Sequence, residues 1–360
     1  MKRARVAIAR RPSRYESVSG ALEAIADQVE LDAARCVLVK PNFVSVDRQL
    51  AATHVDAVRA VLDFVRARHD GPVVVAEGAA LSPTWDGFRN YGYDSLAQTY
   101  GVDLVDLNTD DTVPVRVLDR HLRPLTVHLA RTVVEADYRI SIGPPKTHDV
   151  VLVTLSVKNM AMGALVNPGS VRPGHGLPGL TRRLAGLAPK CVWRSGLAEW
   201  GKSTFLGRLG GSSKMAMHQG FPAINLNLAL VARRVWPHLA VIDGWQGMEG
   251  EGPGQGDPVD WRLALAGTDP LALDVLTAHL MGFNPEDVGY LHYCRLLNLG
   301  VGDVEQIEVV GDGVTEGLPA FVPHPAYQRQ LAWHLDSVER YLNNELTETV
   351  TTPAGLARSV

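Results

Sequence analysis

Cysteine is scarce in this 360-residue chain, and the three present, Cys36, Cys191 and Cys294, lie far apart. They form no CxxC pair, no zinc-finger spacing and no ferredoxin run, so a disulfide framework and a cysteine-ligated cluster are both excluded as expectations. Long hydrophobic runs are missing too. Nothing approaches the roughly 18 consecutive apolar residues of a membrane helix. Basic charge is not in excess: 35 Lys and Arg stand against 39 Asp and Glu, giving a formal net charge of −4. Nucleic acid and anionic membranes are therefore not expected partners. The opening MKRARVAIARRPSRY contains Arg10–Arg11 but lacks the following apolar stretch of about 7–15 residues that a secretory or twin-arginine signal has. A cytoplasmic location is the expectation.

What is present is the composition of a folded globular chain, with 46% hydrophobic and 21% charged residues. Short apolar runs of strand length alternate with helical patterns. Val6–Ala9, Val37–Val39, Val73–Ala76, Leu104–Val105 and Ile140–Ile142 read as strands. Thr53–His69 spaces Val55, Val58, Leu62 and Val65 as a helix, with Thr53 and Asp56 placed as a capping box and His54 as a helix-start residue. A second alternation begins near Phe221. Leu239–Ile242, Leu263–Ala266 and Ile307–Val310 read as strands, Asp269–Pro270 and Asn284–Pro285 as helix starts, and Ala326–Leu346 as a C-terminal helix. The pattern predicts an α/β fold with Rossmann-like layering: two α/β lobes with largely parallel sheets, over residues 1–162 and 221–346, and a flexible tail at 347–360.

Between the lobes, residues 163–220 form a Gly/Ser-rich basic insertion, with eight Lys and Arg against one acid from Val171 to Gly220. A solvated surface insertion and a lid over an anionic ligand both suit it. It contains Gly196–Ser203, a letter-for-letter Walker A match with Lys202 and Ser203. The context argues against a nucleotide site: a convincing strand does not precede the motif, and Gly207, Gly210 and Gly211 interrupt the helix that should follow. His175 and His218, at the edges of this stretch, read as structural.

Chemistry gathers where strands end. Ligands of open α/β sheets bind outside the carboxyl ends of the strands. Here Val37–Val39 runs into Lys40–Pro41–Asn42, Val73–Ala76 into Glu77–Gly78, Ile140–Ile142 towards Lys146–Thr147–His148, and Leu239–Ile242 into Asp243–Gly244, with Glu249 and Glu251 following. Singly, such residues also cap helices and fix turns; convergence of four strand ends is what points to a site. Lys40, Asn42, Thr147 and Asn159 suit binding of a carboxylate or phosphate. Lys146, His148 and Lys158 suit proton transfer, since imidazole titrates near neutrality and a lysine on an apolar run is costly to bury unpaired. Glu77, Asp243, Glu249 and Glu251 are the candidate oxygen ligands of a divalent metal.

These motifs resemble the domain-of-unknown-function 362 (DUF362) family. The resemblance rests on Val37–Asn42, Ala76–Gly78, Lys146–His148 with Thr154 and Lys158–Asn159, Asp243–Gly244, Met248–Pro253, Asp269–Pro270, Asp274 and Met281–Gly282. It runs from about Arg5 to Gly311. Many members of that family carry a fused ferredoxin, so the cysteine-poor sequence implies a member without that module and without an iron–sulfur cluster. The KPN motif and α/β layout are also similar to the lactate racemase superfamily, whose active site lies between two α/β lobes. Together these readings predict an enzyme acting on a small anionic substrate in an inter-lobe cleft, of isomerase, epimerase or lyase type. A non-catalytic cofactor carrier or redox partner and a metal-assisted hydrolase are the alternatives.

Overall fold

The structure is a computed structural model and describes residues 3–80, 82–168, 212–313 and 317–342. The Walker A match, His175, Cys191 and the tail at 347–360 lie outside the described residues, as does most of the basic insertion. Among the described residues, no helix is long and apolar enough to cross a membrane.

The fold is mixed α/β, built on a large, mostly parallel sheet. Its strands are β1 (Ala4–Ala9), β2 (Val37–Lys40), β3 (Val73–Glu77), β4 (Asp103–Asp106), β7 (Tyr138–Gly143), β10 (Leu239–Ile242), β13 (Ala264–Gly267) and β14 (Ile307–Gly311), in the order β14-β1-β13-β10-β7-β2-β3-β4. Only β13 runs antiparallel to its neighbours, β1 and β10. Strands from the two predicted lobes are hydrogen-bonded neighbours, for β10 of the second half pairs with β7 of the first. Lys40, Glu77 and Asp243 therefore stand at or just past strand ends of one sheet.

The strands are apolar on both faces because both faces are covered. Val37, Val39, Val73 and Val75 pack against α1 (Arg14–Glu23), α2 (Val55–Arg66), α3 (Thr84–Asn90) and α4 (Asp94–Tyr100). Leu38, Ala76, Ala240 and Ile242 belong to the opposite core, with α6 (Ser156–Gly163), α8 (Phe221–Ala232), α9 (Pro270–Leu280) and α10 (Gly289–Leu296). Before α6 comes the single-turn α5 (Arg131–Glu135), and before α8 the short α7 (Ser213–Ala216).

Two smaller sheets were not among the predicted elements. β5 (Thr112–Leu118) and β6 (Pro124–Ala130) form a hairpin whose turn contains no glycine; Leu122 adopts the positive φ of 59° instead. The second small sheet, β12-β11-β8-β9, comprises β8 (Lys146–His148), β9 (Leu152–Thr154), β11 (Gln246–Glu249) and β12 (Asp257–Asp260). It turns the apparent loop residues Lys146–His148 into a strand of their own.

Local details also differ from the sequence reading. His54, not Thr53, caps α2, its Nδ1 accepting from the Asp56 amide at 3.2 Å. Thr53 instead accepts from the Asn42 amide and donates to Ile142 O, tying the segment after β2 to β7. The expected helix Ala326–Leu346 is present as short turns at Tyr327–Gln330 and Glu339–Leu342, and its last four positions lie outside the described residues.

Candidate functional site

Lys40 closes β2 and is fully buried, so its ammonium requires partners. It donates to Pro41 O at 2.8 Å, to Asn159 Oδ1 at 3.0 Å and, in a short contact, to the Glu77 carboxylate at the end of β3. Burial lowers its pKa while Glu77 opposes the shift. The side chain lies against Gly163 at the end of α6, where a Cβ would overlap it.

Asn159 links this pair to its neighbours. Its Oδ1 also accepts from Asn42 Nδ2 at 3.1 Å, and its Nδ2 donates to Ser141 Oγ at 3.0 Å. Asn42 in turn accepts from Lys146 Nζ, which donates as well to Ala51 O at 3.0 Å. The chain Lys146–Asn42–Asn159–Lys40–Glu77 is thus continuous, and all of it but Asn42 is buried.

Helix α6 carries both Lys158 and Asn159, and its first turn has no cap from its own segment. Asp274, on α9 and fully buried, supplies one: it accepts from Ser156 N and Val157 N at 2.9 Å and from Ser156 Oγ at 2.6 Å. Negative charge at a helix N-terminus is favourable, and these bonds favour the charged carboxylate, yet burial prevails and raises its pKa to about 7.

The small sheet adds a second set of groups. Lys146 pairs with Thr154 and His148 with Leu152 across β8 and β9, so Lys146, His148 and Thr154 share one face. Thr154 Oγ1 is buried with no hydrogen-bond partner among the described residues. His148 Nδ1 accepts from the Val150 amide at 2.9 Å, while Asp149 Oδ1 lies 3.1 Å from the same nitrogen. Burial first, and then the charges of Lys158, His218, His324 and Lys146, push the His148 pKa well below its ordinary value. Burial thus disfavours the charged ring, and acceptance of the Val150 amide at Nδ1 suits the tautomer with its proton on Nε2. The backbone carbonyl of His148 accepts from Gln330 Nε2 at 2.6 Å.

Lys158 is the exception to the rule that buried charge is paired. It is 6% exposed and makes no hydrogen bond or ion pair among the described residues. Burial and Lys40 lower its pKa to about 8, against an opposing pull from Asp149. Lys146 is pushed down to about 7 by burial and by the charge of Lys158.

Lys214, which sequence reasoning did not select, joins the cluster from α7. It is buried, donates to Gly78 O, and has its pKa lowered to about 8 by burial. In sequence it is one cation among many in a basic stretch, and only the tertiary contact with Gly78 distinguishes it.

The four acids nominated as metal ligands do not converge. Glu77 is engaged by Lys40. Asp243 Oδ1 accepts from Arg14 Nε at 3.0 Å and from the Trp245 amide at 3.3 Å. Glu249 Oε2 accepts from the Val322 amide at 2.7 Å. Glu251 sits on the Gly250–Gly256 loop, which Arg48 clamps by donating to Gly254 O at 2.7 Å and Gly256 O at 2.6 Å. Among the described residues, no group of three or more His, Cys, Asp or Glu is arranged to hold a metal ion. Thr147 alternates away from Lys146 and His148, donating to Gly250 O at 3.0 Å. It braces that loop, whereas Lys40, Asn42, Glu77, Lys146 and Asn159 form the connected network.

A family model described as "Domain of unknown function (DUF362)" matches residues 37–279. A curated relative is the "Thylakoid-associated protein sll1697" of Synechocystis sp. (strain ATCC 27184 / PCC 6803 / Kazusa), 24% identical over 256 residues, or 70% of this chain and 64% of the relative. The chain thus spans less than two thirds of that relative's length. Among solved structures, the lactate racemase apoprotein from Thermoanaerobacterium thermosaccharolyticum aligns with a TM-score of 0.41 and 12% identity, covering 82% of this chain and 57% of that one.

Proposed function

The chain belongs to the DUF362 family, and we propose that it is an enzyme that binds a small carboxylate- or phosphate-bearing substrate and moves a proton at the carbon beside the acid group. One observation carries this reading: Lys158 is a buried amine, titrating at about 8, with no partner among the described residues. An amine poised near neutrality is suited to act as a base, because catalytic efficiency peaks when the pKa approaches the working pH. In its neutral form Lys158 would take the carbon-bound proton. The electron pair left behind moves onto the substrate's acid or carbonyl oxygen. His148, neutral and protonated on Nε2, would donate a hydrogen bond to that oxygen, and Lys146 would supply positive charge. Returning the proton from Lys158 completes an isomerisation or epimerisation; loss of a neighbouring group instead gives elimination.

The Lys40–Glu77 pair and Asn159 fix the frame within which Lys146 and Lys158 are held. Among the described residues the nominated acids form no group of three that would hold a metal ion, and no step is routed through one.

Solvent exchange tests this proposal across a range of candidate acids at once. A panel of 2-hydroxy, 2-amino and phosphorylated acids incubated with the protein in D2O, followed by NMR, is expected to show deuterium entering at one carbon of at least one compound. Lys158→Met and His148→Gln should each slow that exchange by about 100-fold or more. Exchange at the wild-type rate in both variants would overturn the assignment.

A further inference from the structure

Lys146, Lys158 and Lys214 are all buried, and among the described residues none has a carboxylate in ion-pair contact. The carboxylate at the centre of the cluster, Glu77, is already engaged by Lys40. Among the described residues, Lys146 is anchored only to the neutral oxygens of Asn42 and Ala51, and Lys214 only to the carbonyl of Gly78. Four buried ammonium groups share one directly paired carboxylate, with Asp149 and Asp106 acting on Lys158 and Lys214 without ion-pair contact, and such an excess is matched by ligand charge or by loss of protons.

The surplus is also divided in space. In the sheet order β7-β2-β3-β4, Lys146 and Lys158 approach from the β7 side, and the Lys146 ammonium reaches only as far as residues 42 and 51 after β2. Lys214 reaches the opposite flank, the carbonyl of Gly78 just past β3. Between them lies the Lys40–Glu77 pair. Neighbouring strands lie about 4.8 Å apart, which puts the two flanks roughly 5–10 Å from each other.

We propose that Lys214 forms a second anion subsite and that the ligand of this site carries two acidic groups, one held by Lys146 and the other by Lys214. The inference rests on the anion-binding reading above and narrows its substrate class to dicarboxylates or phosphorylated carboxylic acids. The depressed pKa values of Lys146 and Lys214 accord with it, since each group is poised to regain a proton when an anion enters.

Isothermal titration calorimetry on the full chain tests it, with butyrate as the one-acid probe and glutarate, adipate and 3-phosphonopropionate as two-acid probes. At least one two-acid probe is expected to bind tenfold or more tightly than butyrate. Lys214→Met should bring that probe down to the level at which butyrate binds the same variant, and Lys214→Arg should keep the preference. Near-UV circular dichroism establishes that each variant is folded. Equal affinity for all four probes, or a preference that survives Lys214→Met, would overturn the second subsite and leave the single anion site standing. Absence of binding by every probe would overturn the anion site and the subsite together.

Discussion

Lys146 releases its proton near pH 7 in the folded chain, but near the usual value of about 10.4 for lysine when unfolded. Between those values the unfolded chain holds the extra proton, so this residue makes stability rise with pH from about 7 to about 10; below 7 both states are protonated and the penalty is fully present. Urea unfolding at about pH 6.5 and about pH 9.5 should therefore show a smaller pH effect in Lys146→Met than in the wild type. Anion binding runs the other way. A bound anion draws a proton onto Lys146, so affinity should fall above about pH 7, and binding just above that pH should take up protons, read from calorimetry in buffers of different ionisation enthalpy. The Lys40–Glu77 pair predicts a separate result. Lys40→Met strands a buried carboxylate and should cost about 3–5 kcal/mol in urea unfolding, whereas Lys40→Met combined with Glu77→Leu should recover most of the loss. Lys40, Asn42 and Glu77 could be read from the sequence because each lies at or just past the end of an apolar strand run. Lys214 could not, since its neighbours in sequence carry no periodic signal and its burial is set by a residue 136 positions away.

At the scale of elements, α6 shows how a distant helix positions a site. Asp274 of α9 satisfies the first amides of α6, and α6 presents Lys158 and Asn159 to the network. Asp274→Ala leaves two amides and a hydroxyl unpaired in the core. It should lower stability by about 2–4 kcal/mol and weaken anion binding, both read in one urea and calorimetry series. Asp274→Asn, which keeps the shape but offers a single acceptor oxygen, should fall between. The sequence marked Val150–Val157 as apolar without separating strand from helix. The structure divides it, with β9 ending at Thr154 and α6 starting at Ser156. Periodicity fails there because each piece is too short and too buried on every side to repeat a pattern. The β5–β6 hairpin escaped notice for another reason: its turn uses Leu122 at positive φ, where glycine or asparagine is the usual signal.

At the scale of the whole molecule, alternation of strands and helices was enough to predict the layered α/β fold. Strand direction was not readable: Ala-Leu-Ala-Gly of β13 has the same character in either orientation, and its antiparallel placement follows from the connection that delivers it. The C-terminal segment binds back onto the small sheet. Phe321 packs edge-on against Trp261 at 5.0 Å between ring centroids, Gly250 N donates to Val322 O at 2.8 Å, and Gln330 holds the carbonyl of His148. Gln330→Met leaves that buried carbonyl unpaired. It should cost about 1–3 kcal/mol and raise amide hydrogen exchange over Lys146–Thr154, with the β2 and β3 amides protected as before.

The position of β1 has a consequence for how the molecule is made. The strands that carry most of the network, β2, β3 and β7, lie within residues 37–143, so they can assemble early from a growing nascent chain. β1, although first in sequence, lies between β13 and β14 and pairs with residues 264–267 and 307–311. Until those emerge from the ribosome, β1 has no strand to join and β10 keeps one open edge. Contacts of such long sequence separation form slowly, and an unpaired edge recruits other chains. Fragments ending between β10 and β13 should therefore accumulate as aggregates that retain the β7-β2-β3-β4 order, with β1 the last segment to gain protection during synthesis.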